Sequence, residues 1–334
     1  RIISGEVKTD TKYATKNNAY INGLALDEVG NIFLAGNFRT SLTFLNDDSA
    51  TTTTLEAKNT SNWNGDSQAV TGDLFLVKLT SNGYYQKSLL ASGTAQCAFF
   101  DKVVYNEGKL YLAARVQGDG TEMKLGNIIL DSSQERQTQF LVSVNTDDFT
   151  VNYANALESI ANVSNRFVIQ NKGVQFIGGK LYFTGLLNGS WKQKDKLIAD
   201  NSTSNMLKGF LLQVNPLTGL VEHSAVRLDG GIGAFFGAYV ASTCVYVYGY
   251  DFSKGAILVP VDTATYQFGE AIKVCDYGTV ANAVAPIVDD DMMIMANRGG
   301  KARAIDNIAK FYETSFSFTN LKYWGVVYYS FRIN

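Results

Sequence analysis

The chain has 334 residues, 46% of them apolar and 12% aromatic, and carries a net charge of −2. This is enough apolar material for a buried core and argues against a disordered chain. There is no clustered Lys and Arg of the kind that phosphate backbones require, which argues against a nucleic-acid partner, and no run nears the roughly 20 apolar residues a membrane-spanning helix needs.

The first predicted element is Ile2–Thr9, a lone strand signal. A four-strand unit follows: strand A over about Ile21–Asp27, B over Asn31–Phe38, C over Leu74–Thr80 and D over Tyr84–Ala91. Gly30-Asn31 and Asn82-Gly83 supply the turn chemistry between them. Strand C then recurs along the chain. LFLVKL at 74, QFLVSV at 139, GFLLQV at 209, AILVPV at 256 and VVYYSF at 326 share one pattern, broken at the fifth position by Lys78, Ser143, Gln213, Pro260 and Ser330. Strand B recurs in step, as NIFLAGNF from Asn31, KLYLAARV from Lys109, KLYFTGLL from Lys180, CVYVYGYD from Cys244 and MMIMANRG from Met292.

Length alone predicts two domains. A fivefold repeat of paired strands predicts one all-β body instead, a β-propeller of five blades with four antiparallel strands each. Its units run over about 19–92, 94–160, 165–229, 231–276 and 279–334. The fifth unit stops after strand C, so residues 1–10 are expected to supply its outer strand and close the ring. The long segments between strands B and C read as polar loops.

The first unit also carries a resemblance. LALDEVGNIFLAGNF followed by DLFLVKLTSNG, with Asp27, Gly30, Asn31, Gly36, Asp73, Phe75, Lys78, Leu79 and Gly83 in place, resembles the bacterial β-propeller repeat of secreted and surface proteins. The resemblance covers about 60 residues; later units lack counterparts of Asp73 and Lys78. It implies an exported bacterial propeller, secreted, periplasmic or on the cell surface, and no particular activity.

Candidate chemistry is sparse. The single histidine, His223, has no GxSxG nucleophile or second histidine beside it in the sequence, which argues against triad and zinc chemistry. Cys97, Cys244 and Cys275 form no CxxC pair and read as small buried hydrophobes. Asp289–Asp291 and Asn46–Asp48 lack the spacing of a calcium loop, and Gly230–Gly233 lacks that of a phosphate loop. No metal and no cofactor is expected.

Two readings of function remain. In the favoured one, a non-catalytic module binds a glycan or a surface protein. Trp63 and Trp191, set among Asn, Ser, Thr and Gly in B–C segments, are its candidate sugar-stacking rings, with Tyr20 and Arg166 near the starts of strands A. A ring folded back to pin a loop is the structural alternative for either tryptophan. In the second reading a glycan hydrolase uses a carboxylate pair, Asp229 and Asp276, at the mouth of the central channel.

Overall fold

A computed structural model describes residues 2–5, 19–48, 50–59, 72–95, 97–118, 121–132, 137–160, 169–200, 206–227, 233–240, 245–251, 253–275, 279–286, 291–298 and 325–332. The described residues hold strands and turns and no helix. In chain order they begin with β1 (Ile2–Gly5). The first repeat follows: β2 (Ala19–Leu26), β3 (Ile32–Phe38), β4 (Ser41–Leu45), β5 (Thr52–Glu56), β6 (Asp73–Leu79) and β7 (Tyr85–Gly93). The second is β8 (Cys97–Asn106), β9 (Lys109–Gln117), β10 (Thr121–Leu125), β11 (Ile128–Ser132), β12 (Gln137–Asn145) and β13 (Val151–Ser159). The third is β14 (Ile169–Ile177), β15 (Lys180–Leu187), β16 (Trp191–Gln193), β17 (Lys196–Ala199), β18 (Lys208–Val214) and β19 (Val221–Val226). The fourth is β20 (Gly233–Val240), β21 (Val245–Asp251), β22 (Gly255–Val261) and β23 (Ile272–Cys275); the fifth is β24 (Thr279–Pro286), β25 (Asp291–Arg298) and β26 (Gly325–Arg332).

Each of the first four repeats forms an antiparallel meander in the order A-B-C-D, and the described residues of the fifth hold strands A, B and C. The turns follow from local chemistry. Asp27 Oδ1 accepts from the backbone N–H groups of Val29 and Asn31, and its Oδ2 accepts from Asn31 Nδ2 at 2.8 Å. Gly30 takes φ +83° there, a conformation that costs glycine little. Strand C is buried on both faces: Leu74, Phe75, Leu76 and Val77 are each at most 1% exposed, as expected of a strand covered on either side.

In the first three repeats the segments between strands B and C hold hairpins where the sequence predicted polar loops. In the second and third repeats the hairpin pairs with the last strand of the repeat before it. β10 meets β7 through Met123↔Gly93, Lys124↔Ser92 and Leu125↔Ala91, and β16 meets β13 through Glu158↔Lys192 and Ser159↔Trp191. In the first repeat β4 meets β1, with Ile2 opposite Phe44 and Gly5 opposite Leu42. The partner of the N-terminal strand among the described pairings is thus β4, and the sheet β24-β25-β26 has no fourth strand there.

The chain groups into two compact units. One holds Arg1–Asn162, Trp191–Leu197 and Asn215–Leu220; the other holds Val163–Ser190, Ile198–Val214 and Val221–Asn334. The first unit's largest core joins the facing sheets of the first two repeats, with Phe33, Leu74, Leu76 and Ala91 against Phe100, Leu112, Val116 and Phe140. Its smaller core lies on the other face of the first sheet, where Leu42, Phe44 and Leu55 of the β4–β5 hairpin cover Phe38 and Phe75. The second unit's core centres on Leu211, Phe235, Val247, Ile257 and Val259.

Candidate functional site

Strand A is an edge strand in all five sheets, and in all five it carries a β-bulge at the same place. The register shifts between Ile21 and Gly23, Phe100 and Val103, Asn171 and Gly173, Phe235 and Gly237, and Ala281 and Ala283. The extra residue is Asn22, Asp101, Lys172, Phe236 or Asn282, followed by Gly23, Lys102, Gly173, Gly237 or Ala283. Such bulges re-aim side chains and protect an edge from open-ended pairing.

The cause lies in strand B. The residue opposite the last one before the bulge, the sixth of strand B in the first four repeats and the fifth in the last, is small throughout: Gly36, Ala114, Gly185, Gly249 and Ala296. A Cβ at Gly36 would overlap the Tyr20 carbonyl oxygen, and one at Gly249 would overlap that of Ala234. The strand A backbone therefore presses onto strand B just before the bulge, where little room for a side chain exists.

Within each unit the bulges also join the strands A of successive repeats. In the first, Asn22 Nδ2 donates to the Phe100 carbonyl at 2.9 Å and sits 3.3 Å from Asn37 Oδ1. A Cβ on Gly23 would lie 2.9 Å from the Asp101 carbonyl oxygen. In the second, a Cβ on Gly173 would overlap the Phe236 carbonyl, and Gln175 Oε1 accepts from the Ala238 N–H at 3.2 Å. Lys102 is exposed and Asn22, Asp101, Lys172 and Phe236 are half-buried. The backbone geometry recurs while the side chains at the bulge differ in every described repeat but one pair of asparagines. A binding surface uses that arrangement well: a fixed frame presenting varied chemistry.

The residues chosen from sequence are placed as follows. Tyr20 lies on β2, half-buried, two residues before the first bulge. Trp191 is 0% exposed, which corrects its reading as a sugar-stacking ring. The β16–β17 hairpin turns its indole inward and pins the segment onto β13, an arrangement that only the pairing with Ser159 reveals. Trp63, Arg166, Asp229 and Asp276 lie outside the described residues. Sequence reasoning missed the bulge column, although the small residue of strand B and the glycines at 23, 173 and 237 were its signal.

Other polar groups are structural. Asp48 accepts from the N–H of Ala50 and Thr51 and from Thr51 Oγ1, and the Thr51 bonds hold its carboxyl below the usual range. His223 stacks on Tyr266 with centroids 4.2 Å apart, and the Tyr266 hydroxyl donates to Gln213 Oε1. Burial, with Tyr182 and Glu222 nearby, pushes that phenol up to about 12. Arg227 and Asp251, 5% and 1% exposed in their side chains, form an ion pair at 3.3 Å. Burial opposes ionisation of Asp251, and hydrogen bonds from Ser253 together with Arg227 outweigh it, so its carboxyl stays below the ordinary range. Among the described residues no three His, Cys, Asp or Glu side chains gather as metal ligands.

No family model matches the chain, and no curated protein does. Among solved structures it aligns with the plexin A4 extracellular region at a TM-score of 0.33 and 10% identity, over 82% of this chain and 45% of that one. The chain therefore spans less than half of that plexin A4 extracellular region. It also aligns with Saccharomyces cerevisiae Sqt1 at a TM-score of 0.23 and 9% identity, over 84% of this chain and 94% of that one. Both scores fall below the level at which a shared fold follows.

Proposed function

We propose that the chain is a binding or scaffold module, a five-bladed β-propeller working outside the cytoplasm, whose ligand is a surface protein or glycan. The ring rests on one equivalence. Hairpins β10–β11 and β16–β17 pair with β7 and β13, each the outer strand of the preceding repeat; hairpin β4–β5 pairs with β1 in the same sense. By that rule β1 is the outer strand of the repeat preceding the first, and in a ring of five that repeat is the last, whose sheet has three strands among the described residues. Strand A is then the innermost strand of every blade, and the bulge column faces the axis. The extracytoplasmic setting rests on the resemblance of the first repeat to secreted and surface propeller repeats.

The experiment is a screen of the purified chain against arrayed glycans and surface-protein fragments, repeated with Lys102→Glu and Lys172→Glu. Binding that falls by tenfold or more in these variants, with thermal stability unchanged, supports a site at the inner strands. Binding indifferent to both rejects that site, and no binding to any probe rejects the binding-module reading. Ser4→Pro tests the closing strand separately, since proline removes a ladder donor from β1.

A further inference from the structure

In three of the first four repeats the residue that the bulge adds to strand A matches in kind the strand B residue just after the small one. The first repeat holds Asn22 with Asn37, whose carboxamides meet at 3.3 Å. The second holds Asp101 with Arg115, a carboxylate and a guanidinium at the corresponding places. The third departs from the pattern, with Lys172 and Leu186. The fourth holds Phe236 with Tyr250, whose ring centroids lie 5.8 Å apart. Polar pairs spend their hydrogen-bonding groups on each other, as Asn22 and Asn37 do. Two rings do not: both are half-buried, and with their planes inclined at 37° neither lies flat on the other's face.

The third and fourth bulges adjoin. Gly173, directly after Lys172, backs onto the Phe236 carbonyl so closely that a Cβ there would overlap it. Phe235 fills the core of the second unit, while Phe236, next in the chain, stays half-buried outside that core. Gly237 follows, and the space its side chain would take holds the Tyr248 hydroxyl and Gln175 Nε2. Gln175 Oε1 is engaged by the Ala238 N–H at 3.2 Å, which fixes the amide with its Nε2 donor beside the bulge. Lys172, Gln175, Phe236 and Tyr250 are all half-buried and all belong to the second compact unit. This stretch of strand A edge thus gathers two ring surfaces, an amide donor and a lysine.

We propose that Phe236, Tyr250, Gln175 and Lys172 form a subsite for an acidic sugar. The proposal rests on the binding-module reading and names its ligand class. A pyranose carries an apolar face of C–H bonds, which packs on Phe236 and Tyr250, and a rim of hydroxyls, which Gln175 Nε2 serves as donor. A carboxylate on the sugar supplies the charge that Lys172 complements. Rings with a few convergent polar groups are the usual lining of a small-ligand site. A protein partner needs about 800 Å² of its surface buried for a stable interface, far more than four half-buried side chains offer; they suit one or two sugar rings.

The test is titration calorimetry of the full chain with oligosaccharides ending in glucuronate, galacturonate or sialate, each beside its neutral methyl ester. At least one acid should bind about threefold or more tighter than its ester, an advantage within reach of one partly exposed charge pair. Phe236→Leu keeps apolar bulk beside Tyr250 and should leave the melting temperature within a few degrees while weakening binding about tenfold. Lys172→Gln should erase the preference for acid over ester. Binding of none of the acids overturns the proposal. So does equal binding of acid and ester, and so does binding untouched by Phe236→Leu. A surface-protein fragment whose binding ignores both variants, with no acid bound, overturns this subsite and leaves the binding-module reading standing; that reading falls only when no arrayed probe binds.

Discussion

Replacing Trp191 with alanine separates a structural pin from a ligand contact. The indole is fully buried, and removing so large a buried ring costs about 3–5 kcal/mol. What remains to hold β16 is modest. The Lys192–Glu158 ion pair spans 3.4 Å between side chains 36% exposed on each side, worth about 0–1 kcal/mol at such exposure. Gln193 Nε2 donates to the buried Gly219 carbonyl at 3.0 Å, worth about 1 kcal/mol. Losing the ring removes more than either of these contacts supplies, so the hairpin should loosen from β13 before the sheet beneath it unfolds. Amide exchange should show protection vanishing at Trp191–Gln193 and at Glu158 and Ser159 while β9 and β12 stay protected. The melting temperature should fall by at least about 6 °C, at roughly 2–4 °C per kcal/mol for a body of this size. Trp191→Phe, which keeps an aromatic ring in place, should retain most of the protection. Unchanged exchange and melting in Trp191→Ala would refute the pinning argument.

Two further outcomes follow from the same coordinates. Asp251→Asn strands the Arg227 guanidinium beside a neutral partner in a buried site and should cost about 3–5 kcal/mol near neutral pH, while Arg227→Met with Asp251→Leu should recover most of it. Because the folded Asp251 carboxyl lies below its unfolded range, its contribution is present above about pH 4 and is lost as pH falls further; urea melts at pH 7 and pH 3 should show the wild-type advantage over Asp251→Asn shrinking at the lower pH. Gly36→Ala pushes a Cβ onto the Tyr20 carbonyl and within 2.9 Å of the Phe75 ring, and should cost about 1–3 kcal/mol. The second repeat already holds Ala114 at that place, so Ala114→Gly should cost no more than about 1 kcal/mol; a loss at Gly36→Ala no larger than that would reject the claim that the Tyr20 carbonyl leaves no room for a side chain at position 36.

Much of the strand order was legible because it is written in short-range terms. Strand B and strand C of the first repeat appear within one residue of their predicted ends, since a buried strand needs a run of apolar residues and a tight turn needs Gly, Asn or Asp beside it. The B–C hairpins were not legible. Thr52–Glu56 is four-fifths polar, and β16 is three residues long; neither has an alternation that distinguishes it from a loop. Their strand character comes from pairing, β5 with β4 and β16 with β13, and Trp191 changes from a candidate contact into a core residue with it.

The candidate site divides the same way. Sequence supplied Tyr20 as a residue near the inner strand, and it supplied the small residue of strand B without its meaning. A bulge is a mismatch of one residue between two paired strands, so it exists only once the register is known. What the sequence by itself determined is the repeat: the paired strands B and C and the turns that bound them, set by side-chain patterning and turn chemistry over a few neighbouring residues. What only the tertiary structure decided is which strands and faces meet: the hairpins on β1, β7 and β13, the bulge in every strand A, and the buried Trp191. Those depend on contacts between residues far apart in the chain, where burial and register, and not local propensity, set the free energy.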